Sequence, residues 1–151
     1  MADVFSPQER SRIMARIRSR GNKTTELRLI RLLRRYKVKG WRRGSSLFGR
    51  PDFVFYKAKV ALFVDGDFWH GNPRNFRLPT SNRKYWRQKI QSNRRRDRLV
   101  TKYLAESGWR VLRIWESALR DEEAIVAKIQ FITDIGFPSA KTPSRHGQRA
   151  A

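Results

Sequence analysis

Between Arg50 and His70 the chain reads RPDFVFYKAKVALFVDGDFWH. Two carboxylates, Asp52 and Asp65, sit 13 residues apart on apolar runs, and His70 follows five residues later in an aromatic patch with Phe68 and Trp69. Carboxylates beside an imidazole form a donor set for a hard divalent cation next to a proton acceptor. Mg²⁺ takes oxygen ligands, keeps several waters and is held by one or two carboxylates plus phosphate. It polarises a phosphoryl oxygen and stabilises the leaving alkoxide. A neutral imidazole beside it can take a proton from water. Two further acids are candidates. Glu26 sits where a helix begins, and Asp97 is the one acid among Arg94, Arg95, Arg96 and Arg98. Asp97 can orient His70 by accepting its other ring proton. Each residue also has a plain structural assignment: Asp52 and Asp65-Gly66 as turn residues, His70 as a packed histidine, Asp97 in a surface ion pair.

The elements that must carry these groups follow from pattern. Ser6-Pro7-Gln8-Glu9 reads as a helix start with a capping box, and Ile13, Met14 and Ile17 share one face of the helix it opens. Gly21-Asn22 breaks it. A second helix, capped by Thr24 or Thr25, runs to about Tyr36 with Leu29, Leu32, Leu33 and Tyr36 as its stripe, and Gly40 fits the position past its end. Residues 41–44 can begin a strand. Asp52 to Tyr56 and Val60 to Val64 read as two strands joined by Lys57-Ala58-Lys59. Antiparallel pairing of these two strands brings Asp52 and Asp65 to one edge of the sheet. The wholly apolar run at 60–64 marks a central strand. Residues 71–80 are a loop, and Ser81 is the expected cap of a long helix over 82–107. Trp109 to Trp115 is a further strand, with a last helix over 120–135. A long helix between strands 60–64 and 109–115 fits a crossover between parallel neighbours. The fold class is α/β, with layers of helix around a small mixed sheet.

Charge points to the substrate. The 151 residues carry 35 Lys and Arg against 13 Asp and Glu, a formal net charge of +22. Such an imbalance implies a polyanionic partner, and Lys and Arg gain affinity for nucleic acid by releasing counterions from phosphates. The segment around Trp86 carries Arg83, Lys84, Arg87, Lys89, Arg94, Arg95, Arg96 and Arg98, an expected phosphate track. Phe68, Trp69 and Trp86 are candidates to wedge between base steps, with core packing as the alternative. No apolar run approaches a bilayer span, no basic amphipathic helix stands out, and no signal-peptide core opens the chain, so the expectation is a cytoplasmic, nucleoid-associated protein without a membrane partner. The absence of cysteine excludes disulfides and thiolate zinc sites.

These residues resemble the very short patch repair (Vsr) DNA mismatch endonucleases, a branch of the PD-(D/E)XK nucleases with an EDxHD site pattern. The resemblance covers most of residues 1–136 as a single domain. It rests on RSRIMARIRSRGNKTTELRL, GRPDFVF, ALFVDGDFWHG, YWRQKIQSNRRRDR and LAESGWRVLRIWESALR. Residues 137–151 are expected to be a disordered basic tail. The resemblance implies a restriction-endonuclease-like three-layer α/β/α fold and a Mg²⁺-dependent nuclease. Glu26, Asp52, His70 and Asp97 take the pattern's named positions, and Asp65 the variable one. It further implies that Asp52 and the Val64 carbonyl are metal ligands, that His70 is the general base, and that Phe68, Trp69 and Trp86 form the aromatic wedge. The implied reaction nicks one strand of double-stranded DNA 5′ to the thymine of a T·G mismatch. The protein is expected to act as a monomer, with mismatch-repair proteins as possible partners.

Two positions depart from the family pattern. Asp65 stands where the family carries a second histidine, and can add a metal ligand to the one or two ions expected. Asp67, Asn72, Arg74 and Ser117 stand where the family holds a structural zinc with cysteines and histidines, so no zinc is expected here and compensating packing is. Both departures border the DNA-reading segment. Two rival assignments remain: a homing or restriction-type endonuclease with a sequence-specific target, and a DNA-binding protein without catalysis.

Overall fold

A computed structural model of the protein describes residues 6–8, 11–12 and 23–134. Residues 7–8 and 11–12 are helical, as the capping box at Ser6 predicts. The rest of that expected helix, and the expected tail at 137–151, lie outside the described residues. Helix α1 spans Lys23–Arg35. It therefore begins before both threonines assigned to its cap. Thr25 is instead buried, and its hydroxyl donates to Glu116 Oε1 at 2.9 Å. At the other end the turn is closed by Lys37, not by Gly40. Lys37 adopts φ 55°, its N–H donates to the Arg34 carbonyl, and the Val38 N–H donates to the Leu33 carbonyl. This pair of bonds satisfies the helix's last carbonyls.

Four strands make one sheet in the order β1-β2-β3-β4: β1 is Trp41–Arg42, β2 Phe53–Phe55, β3 Val60–Asp65 and β4 Arg110–Trp115. β1, β2 and β3 pair antiparallel, with Phe53 opposite Leu62. β3 and β4 pair parallel from Val60 opposite Arg110 to Asp65 opposite Trp115. The connection between them is helix α2, Arg83–Glu106. Its expected cap, Ser81, is displaced by Asn82, which takes a left-handed conformation and makes no side-chain capping bond. Asn tolerates that conformation better than Ser because its short amide can bond locally. A 3₁₀ turn, Glu116–Arg120, precedes helix α3, Glu122–Asp134. The Asp121 side chain accepts the Ala124 N–H and starts α3, so the last helix begins later than the sequence pattern indicates.

The two faces of the sheet hold separate cores, because successive side chains on a strand alternate. On one face Leu29, Leu33, Phe53, Phe55, Val60, Leu62, Leu112, Ile114, Ile125 and Ile129 form a cluster drawn from α1, the strands and α3. On the other, Ala61, Phe63, Val100 and Leu104 meet with Phe48 and with Val111 at its margin. Helices thus cover both faces, and β3, buried along nearly its whole length, is central as its unbroken apolar run predicts.

Candidate active site

The carboxyl ends of the parallel strands β3 and β4 form the rim where the candidate residues gather, the usual place for a site in an open α/β sheet. Asp65 is the last residue of β3. Asp52 immediately precedes β2, and its Oδ2 accepts the Val64 N–H at 2.8 Å. Antiparallel pairing therefore does bring Asp52 to the end of β3. Glu26, in the first turn of α1, hydrogen-bonds to the Asp52 carboxyl and receives Arg43 Nη2 at 2.8 Å. Burial chiefly, opposed by the Val64 N–H and aided by Glu26 and Asp65, raises the Asp52 pKa to about 7. Two neighbouring carboxyls, Asp52 and Glu26, offer oxygen donors of the kind a hard divalent ion takes, and such an ion would favour the ionised form of Asp52.

The second group lies across α2. Gly66-Asp67-Phe68-Trp69 turns the chain after β3, and the His70 N–H closes that turn on the Gly66 carbonyl. His70 Nδ1 lies 2.5 Å from Asp97 Oδ2 and 3.9 Å from Asp65 Oδ1. Asp97 thus holds one ring nitrogen, as the arginine-flanked acid was expected to, and leaves Nε2 for another partner. Burial alone would lower the His70 pKa, but the bond to Asp97 and the charges of Asp65 and Asp97 outweigh it and raise it. One ligand atom each from Asp65, His70 and Asp97 lies within 4.8 Å of the others, close enough to hold an ion. A cleft of about 270 Å³ opens beside them, lined also by Arg94, Arg98, Arg113 and Trp115.

Asp65 has a partner that the pattern of acids did not reveal. Arg113 Nη1 reaches Asp65 Oδ1 at 2.9 Å and Oδ2 at 3.1 Å. Burial raises the Asp65 pKa, and Arg113 and His70 pull it back. The sequence signal for Arg113 was a cation between the apolar Leu112 and Ile114 inside the strand WRVLRIW. Asn93, on α2, was also missed; its Nδ2 donates to the Trp69 carbonyl at 2.7 Å and ties the turn to the helix.

The expected wedge is one assembly. The Phe68 ring lies 5.3 Å from Trp69 and 5.3 Å from Trp86, with Phe76 at 5.7 Å. Trp69 is 51% exposed and Tyr85, edge-to-face with Trp86 at 5.1 Å, is 57% exposed. Phe68 and Trp86 are half-buried and anchor the exposed rings. Of the basic residues on α2, Arg94 and Arg98 line the cleft. Lys89 is exposed three residues after Trp86. Arg95 is exposed too, but two residues from Asp97 on a helix means about 200° of rotation, so it faces away from the site.

The four positions that depart from the zinc pattern hold a hydrogen-bonded cluster instead. Asn72 Nδ2 donates to Asp67 Oδ1 at 2.5 Å, and Ser117 Oγ donates to the same oxygen at 2.8 Å. The Ser117 N–H donates to Asp67 Oδ2 at 3.1 Å, and the Arg74 N–H to Asn72 Oδ1 at 3.1 Å. Burial opposes ionisation of Asp67, but the donors from Asn72 and Ser117 prevail and lower its pKa. This knot fastens the turn carrying His70 to the end of β4.

The family model described as DNA mismatch endonuclease Vsr matches residues 2–75. A type II nicking enzyme of Neisseria meningitidis serogroup C is 41% identical over 117 residues, 76% of this chain and 78% of the relative. Another, from Xanthomonas oryzae pv. oryzae, is 38% identical over 135 residues, 89% of this chain and 98% of the relative. The DNA mismatch endonuclease Vsr of Escherichia coli is 39% identical over 126 residues, 83% of this chain and 80% of the relative.

Proposed function

The chain belongs to the DNA mismatch endonuclease Vsr family and is a DNA endonuclease, and from that premise we propose that it nicks one strand of duplex DNA at T·G mismatches with the help of Mg²⁺. The observation that carries the chemistry is the bond from Asp97 to His70 Nδ1 at the mouth of a cleft lined by arginines. With Nδ1 held, Nε2 is the nitrogen that takes a proton from an attacking water, and Asp97 stabilises the imidazolium that results. Arg94 and Arg98 place the phosphate against His70. Asp52, the Val64 carbonyl and Glu26 would hold the ion, which when bound neutralises the phosphate and stabilises the leaving oxygen. Trp69, backed by Phe68 and Trp86, wedges the base step next to the cut. The helices on both sides of the sheet support the restriction-endonuclease-like reading of the fold.

A second reading is favoured by the relatives named type II nicking enzymes: a sequence-specific nick in matched DNA. The deciding assay compares T·G, other mismatched and fully matched duplexes of one sequence, with Mg²⁺ and with chelator. Cutting confined to T·G supports repair, whereas equal cutting of matched duplex supports the second reading. Asp52→Ala and His70→Ala should each reduce nicking by about 10²–10⁴-fold while duplex binding persists. Unchanged nicking in either variant removes that residue from the mechanism.

A further inference from the structure

Arg113 is an arginine in the middle of a strand whose neighbours in sequence are Leu112 and Ile114, both in the core. It lies opposite Phe63 in the register, and its side chain runs along β4 towards Asp65, two residues further on. There it is gripped from several directions. Nη1 takes both oxygens of Asp65, at 2.9 and 3.1 Å, and stands 3.6 Å from Asp97 Oδ1. Nη2 donates to the Asp97 carbonyl at 3.3 Å and Nε to Thr101 Oγ1 at 2.9 Å. The guanidinium carbon lies 4.3 Å from the centroid of the Phe63 ring. The planar fork of arginine matches such a set of partners, and the site cannot release it without leaving the buried Asp65 unpaired.

Asp65, His70 and Asp97 have the types and spacing to hold a cation of their own. Arg113 already supplies that charge. We propose that Arg113 is a positioning residue that serves as a fixed internal cation: it occupies Asp65 and steadies Asp97, closes this cluster to divalent metal, and confines the ion to the Asp52 side of the site. Asp65 is then the counterion of Arg113 and not a ligand. The inference refines the proposed nicking site and rests on that reading for its function. Its metal arithmetic can be measured without any cutting.

The test counts Mn²⁺ bound to the full chain in the absence of DNA, by electron paramagnetic resonance, for wild type, Arg113→Gln, Arg113→Lys, Asp65→Asn and the double variant Arg113→Gln/Asp65→Asn. Arg113→Gln should bind one more Mn²⁺ than wild type, because the cluster is then short of a cation. Arg113→Lys keeps the charge and should bind the wild-type number. The double variant removes charge and counter-charge together and should return to the wild-type count. Asp65→Asn alone should leave Mn²⁺ affinity within about twofold of wild type. If Arg113→Gln does not fold, the Asp65→Asn measurement still decides. Loss of a Mn²⁺ on Asp65→Asn makes Asp65 a ligand and overturns the proposal, as does an unchanged count in folded Arg113→Gln. A protein that follows this metal pattern yet cuts no DNA would retain the internal cation and lose the nicking reading instead.

Discussion

His70 works, on this reading, against its own surroundings. A general base must be neutral, yet the bond to Asp97 and the nearby carboxylates raise its pKa above the ordinary imidazole value. Nicking should therefore rise with pH, and its acid limb should lie above that of a free histidine. Asp97→Asn removes the largest of the raising causes, so the limb should move to lower pH even as the rate falls by about 10–100-fold from lost orientation. A pH–rate profile of the two proteins checks this; a limb that stays in place assigns it to another group. Asp52 offers a complementary test in the metal-free protein. Its pKa is raised from 3.8 to about 7 by folding, so between those values the folded state binds more protons than the unfolded one. Stability must then fall as pH rises through that window. Asp52→Asn, which can still accept the Val64 N–H, should be more stable than wild type at pH 8 with chelator present, by about 1–3 kcal/mol after screening, and equally stable at pH 4, as denaturant unfolding at the two pH values would show. The same substitution should abolish nicking. A carboxyl that weakens the metal-free protein and is required for activity is the behaviour of a ligand.

At the scale of elements, the site depends on how closely the turn after β3 sits on α2. Gly71 has φ +62°, and a Cβ there would stand 2.8 Å from Ile90 Cγ2, a buried side chain between Trp86 and Asn93. Gly71→Ala should cost about 1–3 kcal/mol and also displace His70 from Asp97, lowering nicking at temperatures where the protein remains folded. Gly108→Ala is the control: it has φ +89° but nothing within 4 Å, so it should lower the melting temperature and leave nicking intact. Equal activity in both variants would show that the turn is not held by this contact. These elements were largely legible in the sequence, since the apolar run at 60–64, the hairpin before it and the stripe of α1 all reflect burial that the chain pattern encodes. The caps were less so. Lys37 closes α1 in a conformation that usually selects glycine, and Asn82 displaces Ser81, so neither end follows the local residue preference. The pairing of His70 with Asp97 was foreseen because both are isolated residues of their kind. The bonds of the Asp67 cluster give form to the compensating packing expected at the four zinc-pattern positions, whereas Arg113 was not foreseen, because its partner Asp65 lies 48 positions away in the chain and nothing local encodes the contact.

At the scale of the whole molecule, five of the thirteen acids gather in one place. Glu26, Asp52, Asp65, Asp67 and Asp97 stand close to one rim of the sheet, in a chain whose formal net charge is +22. A polyanion is drawn to such a surface from a distance, but the rim itself repels phosphate unless cations cover it. Arg94, Arg98 and Arg113 supply part of that cover. Binding of duplex should therefore be strongly salt-dependent, and the dependence should be local in origin. Each arginine that contacts a phosphate contributes about one to the slope of log affinity against log salt. Arg94→Ala and Arg98→Ala, on the cleft, should each reduce the slope by about that amount. Arg95→Ala removes the same charge from the same helix but from outside the cleft lining, about 100° round from Arg94, and should change the slope less. Net charge is altered equally by all three, so a uniform effect would mean that affinity follows the total charge and that no cleft-side track exists. A graded effect, large for Arg94 and Arg98 and small for Arg95, places the DNA along the side of α2 that faces His70.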